Sequence, residues 1–271
     1  MISYPNAKIN LGLNITNKRP DGYHNIESVL YPVPLCDELE IVIADDNQFS
    51  FISGGINTGC DDADNLCVKA YKLLDDRFGL PAVKMKLHKV IPSGAGLGGG
   101  SADAAFTLRM LNDIFNLGLE NLALKELSTR LGMDCPFFID NVPALATGRG
   151  DILKPVDINL NGHTICIAKP DIHISTADAY AGVRPHAGDP SAAELTGFSP
   201  STWKGILENQ FEETLFPVHP ILEDLKTSFY DSGSLYASLS GSGSAVYGIF
   251  TSPPKLQGKF EGIFYWEGEV K

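Results

Sequence analysis

Residues 91–105, IPSGAGLGGGSADAA, are the strongest local signal in the sequence, because they place five glycines between a predicted strand and a predicted helix. The strand covers residues 83–89, where VKMKLHK alternates apolar and polar side chains as a half-buried strand does. The helix is expected to open at Ser101 and to run to residue 116. Glycines let backbone N–H groups approach a ligand closely, and a helix N-terminus adds unpaired donors and a positive dipole end. The segment therefore predicts a site for the phosphates of a nucleotide.

Other glycine motifs compete for the same residues. Residues 94–99 satisfy the GxGxxG pattern of dinucleotide-binding folds. That fold requires a strand after the helix, whereas residues 120–132, ENLALKELSTRLG, have a helical pattern. A Walker A loop would need a lysine where Gly100 stands. A purely structural glycine turn stays open as an alternative at this point.

The composition limits the class of protein. The chain has 271 residues, with 21 Lys and Arg against 33 Asp and Glu, which gives a formal net charge of −12. Clustered positive charge for nucleic acid or an anionic membrane is therefore not expected, and no apolar run is long enough for a membrane span. The five cysteines are scattered without a CxxC pair, which favours a reducing cytoplasm and argues against structural zinc. We expect a cytoplasmic enzyme that acts on a small molecule.

Short strands and helices fill the chain without strict βαβ alternation, which favours an α+β fold. Residues 148–162 are loop-like and predict a domain junction, so we expect an N-terminal domain over 1–155 and a C-terminal domain over 156–271. The segment 184–200, rich in proline, predicts a surface excursion. The predicted strands are 26–33, 38–43, 49–52, 83–89, 164–168, 235–239, 244–250 and 263–266, and the predicted helices are 64–78, 101–116, 120–131, 175–183, 201–207 and 221–229.

The glycine segment resembles the central motif of the GHMP kinases, Pro-x-x-x-Gly-Leu-Gly-x-x-Ser, and two further motifs of that superfamily are present in the same order. These are residues 5–11, PNAKINL, and residues 238–245, SLSGSGSA. The resemblance implies two α+β domains, one like ribosomal protein S5 and one ferredoxin-like, with ATP and Mg²⁺ as cofactors. It implies nucleotide contacts from Asn65, Pro92, Ser93, Gly94, Ala95, Gly96, Leu97, Gly98, Gly99, Gly100, Ser101 and Ala102.

Five further stretches narrow the resemblance to superfamily members that phosphorylate a cytidine-diphosphate-linked sugar alcohol in isoprenoid precursor synthesis. They are RPDGYH at 19–24, LGMDCPFF at 131–138, GRG at 148–150, ISTA at 174–177 and NQFE at 209–212. By this resemblance, substrate contacts are expected from Asn10, Tyr23, His24, Thr176, Gly241 and Ser242. Taken alone, Tyr23 and His24 read as packing residues, and Asn65 and Thr176 as helix-start residues.

Asp134 and Lys8 are the predicted catalytic residues. Asp134 would accept the proton of the attacking hydroxyl, and a nearby ammonium from Lys8 would keep that carboxylate ionised or steady the phosphoryl group. Without the resemblance, Asp134 could be a helix N-cap and Lys8 a solvated lysine. The sequence contains no pair of acidic residues that indicates a metal site. Glu27 and Asp103 are conceivable metal ligands, but no motif supports them. A sister kinase acting on mevalonate or a sugar, and a non-catalytic nucleotide-binding module, are the rival hypotheses.

Overall fold

A computed structural model describes residues 1–57, 59–186, 194 and 198–271. Its strands, in chain order, are β1 (Ile2–Ser3), β2 (Asn6–Lys18), β3 (His24–Cys36), β4 (Glu38–Ile43), β5 (Ser50–Gly55), β6 (Val83–Lys89), β7 (Ala144–Thr147), β8 (Ile152–Pro155), β9 (Thr164–Lys169), β10 (Tyr236–Leu239), β11 (Val246–Phe250) and β12 (Phe264–Glu269).

The helices of the described ranges lie between these strands, and none of them is long and apolar enough to cross a membrane. They are α1 (Leu66–Phe78), α2 (Gly99–Ile114), α3 (Asn121–Ser128), α4 (Cys135–Asp140), α5 (Thr176–Ala181), α6 (Phe211–Val218) and α7 (Pro220–Asp231), with short 3-10 helices at Asp62–Asp64 and Pro200–Thr202.

The chain divides into two compact units, and it passes between them several times. The first unit contains residues 1–7, 35–93 and 98–142, and the second contains residues 8–34, 94–97 and 143–271. This partition follows spatial contacts and is not a single cut in the sequence. The predicted domain boundary near residue 155 stays a prediction.

The first unit is a four-stranded sheet with helices. The strand order is β1-β4-β6-β5, in which β5 runs parallel to β6 and the other pairs are antiparallel. Along β6, Val83, Met85, Leu87 and Lys89 are all buried, so the alternation of the sequence sets the buried face and places a lysine on it. Helix α1 packs on α2, and α4 packs on both α2 and α3.

The second unit contains two sheets. One has the order β10-β11-β9-β12 and is antiparallel throughout, and the other has the order β2-β3-β7-β8. Helix α7 packs on α6 and on strands β10 and β11. Phe229 of α7 is fully buried there, with its ring edge-on to Phe250 and Phe260.

Most predicted elements are present, with their ends shifted by a few residues. The helix predicted at 201–207 is wrong, because the chain makes only a 3-10 turn at Pro200–Thr202. Gly205 adopts a φ of 75°, which a continuing helix does not allow. The loop predicted at 148–162 is wrong in part, since β8 lies within it and pairs with β7. The role of this segment as a domain junction stays a prediction.

Strand β2 and helix α6 were not predicted. Both carry motif residues. In β2 the alternation of apolar and polar residues does not indicate a buried and an exposed face, because its polar residues are buried as well: Asn6, Lys8, Asn10 and Asn14. Of the predicted excursion at 184–200, residues 187–193 and 195–197 lie outside the described residues.

Candidate functional site

The glycine loop, residues 92–98, joins β6 to α2. Gly94, Gly96 and Gly98 adopt φ values of 61°, 75° and 71°, in the left-handed region that only glycine enters without strain. Between them, the side chains of Ala95 and Leu97 are buried, at 2% and 1% exposure. Alternate residues therefore anchor the loop while the glycines between them shape the backbone.

Helix α2 begins at Gly99, two residues earlier than predicted, with Gly98 at the N-cap position. Ser101 therefore lies in the first turn and is not the cap that the sequence predicted. The early start has a packing reason: a Cβ on Gly99 would stand 2.8 Å from Cγ2 of Ile91. Only glycine allows the first residue of the helix to approach that close, and the backbone N–H groups of the first turn have no partners within the helix.

Part of the glycine loop is fixed within the second unit by the second glycine turn, residues 240–244. The hydroxyl of Ser240 donates to the carbonyl oxygen of Gly96 over 2.9 Å, and Ala245 N donates to the carbonyl of Ala95 over 3.1 Å. A Cβ on Gly96 would overlap the backbone carbonyl of Ser240. Two glycine motifs that are about 140 residues apart in the sequence are thus in direct contact.

Lys8 and Asn10 lie beside these turns in the second unit. The Lys8 ammonium donates to Asn10 Oδ1 over 2.7 Å, and the Lys8 backbone N–H donates to the carbonyl of Leu97 over 2.9 Å. Both side chains are buried, with Lys8 only 4% exposed, so Lys8 is not the solvated lysine of the alternative interpretation. A Cβ on Gly241 would stand 3.3 Å from the same Asn10 oxygen. The predicted catalytic lysine therefore shares one neighbourhood with both glycine turns.

A buried hydrogen-bond chain orients Asn10. Its Nδ2 donates to the Ser28 hydroxyl over 2.8 Å, and that hydroxyl donates to the carbonyl of Gly12 over 2.6 Å. The phenol of Tyr247 donates to the Asn10 carbonyl over 2.7 Å. Ser28 is fully buried. These contacts fix which way the amide faces, so its oxygen points to the ammonium of Lys8.

The motif NQFE supplies two side chains that hold the second glycine turn, which the sequence did not assign individually. The amide nitrogen of Asn209 donates to the carbonyls of Leu239 and Gly241, each over 2.9 Å. The carboxylate of Glu212 accepts from the Ser238 hydroxyl over 2.9 Å and from Leu239 N over 2.8 Å. Asn209 is only 1% exposed. The signal available in the sequence was the NQFE motif itself, and its burial is seen only in the structure.

Tyr23 and His24 stand in different environments within the second unit. Tyr23 is 54% exposed, and its ring lies under the guanidinium of Arg149 at 5.4 Å. His24 stacks on Tyr180 with ring centroids 4.8 Å apart and planes 14° from parallel. Burial, and to a smaller extent the charge of Lys18, lower the pKa of His24 from its usual value. His24 is therefore more readily neutral and able to donate and accept. The sequence did not single out Tyr180.

Asp134 directly precedes α4 in the first unit. It occupies the N-cap position, as the alternative interpretation expects, although its side chain makes no capping hydrogen bond within the described residues. The neighbouring thiol of Cys135 is fully buried, and burial raises its pKa to about 12, although its hydrogen bond with Ser101 opposes that rise. Cys135 is thus an inert thiol at neutral pH. Asp134 belongs to the first unit and Lys8 to the second.

Asn65 and Thr176 both stand at helix starts. Asn65 caps α1, because its Oδ1 accepts from Cys67 N over 2.9 Å. Thr176 is the first residue of α5, whose cap is Ser175. The helix-start interpretation of both residues is confirmed, and their ligand contacts stay predictions.

The described residues contain no group of three or more His, Cys, Asp or Glu side chains that could hold a metal ion. Of the two conceivable ligands, Asp103 is taken up by an ion pair with Lys89 over 2.6 Å, while Glu27 has a buried Oε1 without a hydrogen-bond partner. Magnesium usually takes several ligands from substrate phosphates and water and only one or two from the protein. The hydroxyl of Ser101, in the first turn of α2, could be one such protein ligand.

Family models identify the class of protein. The model of the GHMP kinases N-terminal domain matches residues 65–148, and the GHMP kinases C-terminal model matches residues 199–261. Together they cover more than half of the chain. The chain belongs to the GHMP kinases, which confirms the resemblance seen in three motifs and the α+β fold. It is therefore a kinase, and ATP is the phosphate donor of that class.

Individual relatives are more specific. The 4-diphosphocytidyl-2-C-methyl-D-erythritol kinase of Bacteroides fragilis is 49% identical over 274 residues, with 100% of each chain covered. The kinase of the same name from Parabacteroides distasonis is 46% identical over 272 residues, again with 100% of each chain covered.

Solved structures agree in fold. A crystal structure of 4-(cytidine 5'-diphospho)-2C-methyl-D-erythritol kinase is similar with a TM-score of 0.81 at 27% identity, covering 100% of both chains. A mevalonate kinase is similar with a TM-score of 0.69 at 13% identity, covering 98% of each chain, and that likeness shows the fold alone.

Proposed function

We propose that this protein transfers the γ-phosphate of ATP to the 2-hydroxyl of 4-diphosphocytidyl-2-C-methyl-D-erythritol, in the non-mevalonate route to isoprenoid precursors. The observation that carries the proposal is the similarity over the whole chain, at 49% identity, to a relative named for that substrate. The local geometry supports a kinase, because two glycine turns and a buried lysine share one neighbourhood.

The glycine loop and the start of α2 would hold the phosphates of ATP. Three glycines with positive φ and the unpaired N–H groups of the first helical turn are suited to bind an anion. Magnesium, when bound, would supply positive charge that offsets the negative charge of the phosphates. Ser101 is the residue of this chain that would offer it an oxygen.

Asp134 would act as the general base and Lys8 as its cationic assistant. Phosphoryl transfer depends mainly on positioning and charge stabilisation, so the protein has to hold a carboxylate and an ammonium at defined places. The ammonium of Lys8 is held by Asn10, which the Ser28 hydroxyl orients in turn. This fixed ammonium supports the role of Lys8, and the role of Asp134 rests on its place in the LGMDCPFF motif.

The stacked pair His24–Tyr180 and the exposed ring of Tyr23 would bind the cytosine end of the acceptor. Aromatic faces stack on a planar base, and an imidazole with a lowered pKa can hydrogen-bond its edge. Gly241, Ser242 and Thr176 are further proposed contacts of the acceptor, as is Asn10.

A coupled ADP-release assay with Mg²⁺ and ATP tests the proposal, with mevalonate, homoserine and galactose as parallel acceptors. We expect turnover with 4-diphosphocytidyl-2-C-methyl-D-erythritol alone, and ³¹P NMR of the product should show one new phosphomonoester. Turnover with a cytosine-free acceptor instead would agree with the kinase class but would contradict the proposal that 4-diphosphocytidyl-2-C-methyl-D-erythritol is the acceptor. Binding of ATP without turnover of any acceptor would favour the non-catalytic module.

A further inference from the structure

Three ionic side chains of the first unit form a buried cluster that the proposed chemistry does not use. Asp37, Lys89 and Asp103 are only 1%, 3% and 2% exposed. The Lys89 ammonium donates to Oδ2 of Asp37 and, over 2.6 Å, to Oδ2 of Asp103. We call this cluster the loop-anchoring triad. It contains one cation and two carboxylates, and Oδ1 of Asp103 is buried without a hydrogen-bond partner among the residues that the structure describes.

The triad holds the chain on both sides of the glycine loop. On the entering side, Oδ1 of Asp37 accepts the backbone N–H groups of Val90 and Ile91, over 2.5 and 2.9 Å, directly before Pro92. On the leaving side, Asp103 belongs to α2, near its start. A Cβ on Gly99 would stand 3.3 Å from Lys89 Nζ, so the first residue of α2 lies against the ammonium.

Stability alone gives a weak reason for such a cluster. Replacing a buried ion pair by apolar side chains is often neutral or stabilising, because burial removes the hydration of each charge. The alternation of β6 would place an apolar residue at position 89, in phase with Val83, Met85 and Leu87. The ionic contacts differ from an apolar core in one respect: they fix distances and directions between specific atoms.

We propose that Asp37, Lys89 and Asp103 are positioning residues that fix the two ends of the glycine loop and thereby set the affinity of the protein for the phosphates of ATP. The inference rests on the proposed role of the loop in nucleotide binding. Donors to a phosphate have to be placed in advance, since a loop that must first be ordered loses part of its binding free energy to that ordering.

Calorimetric titration with Mg·ADP in the absence of acceptor tests this inference. Two variants are informative. One is Asp37→Asn, which places an amide N–H₂ or a weaker acceptor against the ammonium. The other is the double variant Lys89→Met/Asp103→Leu, which removes the ammonium and the Asp103 carboxylate while Asp37 keeps its two backbone bonds. In both, we expect the dissociation constant of Mg·ADP to rise by about tenfold or more. The KM for the acceptor at saturating ATP should stay within about twofold of the wild-type value.

A control is Lys125→Met, which breaks the ion pair that Lys125 of α3 forms with Asp140 of α4 in the same unit. It should leave the dissociation constant of Mg·ADP unchanged. If the double variant melts near the wild-type temperature and binds Mg·ADP within twofold of the wild type, the triad is a structural feature only and the inference is overturned. If the wild type itself does not bind Mg·ADP, the proposed function of the loop fails first.

Discussion

At the residue scale, polar side chains in buried positions carry most of the functional information. Lys8, Asn10, Ser28, Asn209 and Lys89 are all under 5% exposed. Burying such groups costs free energy unless each finds a partner, and each of these five does. The buried polar residues therefore identify the places where hydrogen bonds and ion pairs fix the positions of specific side chains as well as stabilise the fold.

Asp134→Asn tests the proposed base. The substitution keeps the shape of the side chain but cannot accept the hydroxyl proton, so kcat should fall by about 10²–10⁴. Because Asp134 has no proposed role in nucleotide binding, the dissociation constant of Mg·ADP should stay within about twofold. A folded variant that loses less than about tenfold in kcat would contradict the role of general base.

The titration of Asp103 should be visible in the stability of the protein. Burial is the largest cause that raises the pKa of its carboxyl to about 7; the Lys89 ammonium opposes the rise and the Asp37 carboxylate adds to it. The thiol of Cys67 on α1 also faces this carboxyl, and burial raises the pKa of that thiol as well. The native state thus holds a proton that an unfolded Asp, with a pKa of about 3.9, has already lost.

Because the pKa of Asp103 is higher in the native state than in the unfolded state, its contribution to the free energy of unfolding is favourable at low pH and is lost as pH rises towards 7. The unfolding free energy of the wild type should therefore fall relative to that of Asp103→Asn by on the order of 2 kcal/mol between pH 5 and pH 8. Urea unfolding of both proteins across that range measures the difference. A difference that is constant with pH would contradict the assignment.

At the element scale, two turns that are remote in sequence are joined by specific backbone contacts. Gly96 is the tightest point, since its φ is 75° and a Cβ would overlap the carbonyl of Ser240. Within the second unit, Asn209 holds the second glycine turn through the carbonyl of Gly241, and Glu212 holds the end of β10 directly before that turn. The site is therefore sensitive to changes that leave its charged residues untouched.

Gly96→Ala should destabilise the protein more than the same substitution at a control glycine with a similar φ. Gly118 has a φ of 68° and open space around its Cβ position, so Gly118→Ala should cost only the backbone strain, about 1–2 kcal/mol. At Gly96 a backbone carbonyl has to move as well. Unfolding free energies of the two variants decide the point, and equal losses would show that the contact with Ser240 is loose.

Asn209→Asp isolates the donors that hold the second glycine turn. Aspartate keeps the oxygen that accepts from Phe211 N over 3.0 Å but loses the N–H groups donated to Leu239 and Gly241. We expect kcat/KM for the acceptor to fall by about 10- to 100-fold through misplacement of the turn. Steady-state kinetics measure this, and an unchanged kcat/KM in a folded variant would remove the positioning role.

The sequence predicted the elements around the glycine loop well because local patterns control them: the alternation of β6 and the apolar spacing of α2 are both realised. It failed where tertiary packing overrides the local pattern. At the start of α2, Gly99 lies so close to Ile91 that a Cβ would not fit, and the local pattern does not reveal that contact. Lys89 was missed although its phase in β6 indicated burial, because its two carboxylate partners lie 52 and 14 residues away.

At the scale of the whole molecule, the two family models fall on separate parts of the chain, while the compact units interleave along it. The glycine loop is itself divided between the units, with residues 94–97 in the second. The net charge of −12 means that anionic ligands have to be bound by local donors, since the protein as a whole repels them. Backbone N–H groups and single buried lysines meet that requirement.

The acceptor specificity is the central claim, and a comparison of kcat/KM tests it most directly. The two acceptors are 4-diphosphocytidyl-2-C-methyl-D-erythritol and the same sugar alcohol 4-phosphate without cytidine, assayed by ADP release at saturating Mg·ATP. Because binding energy from the cytidine end would be used to position the reacting hydroxyl, kcat/KM should be higher for the cytidylylated acceptor by ~10²-fold or more. Equal values for the two acceptors, or turnover only without cytidine, would contradict the account.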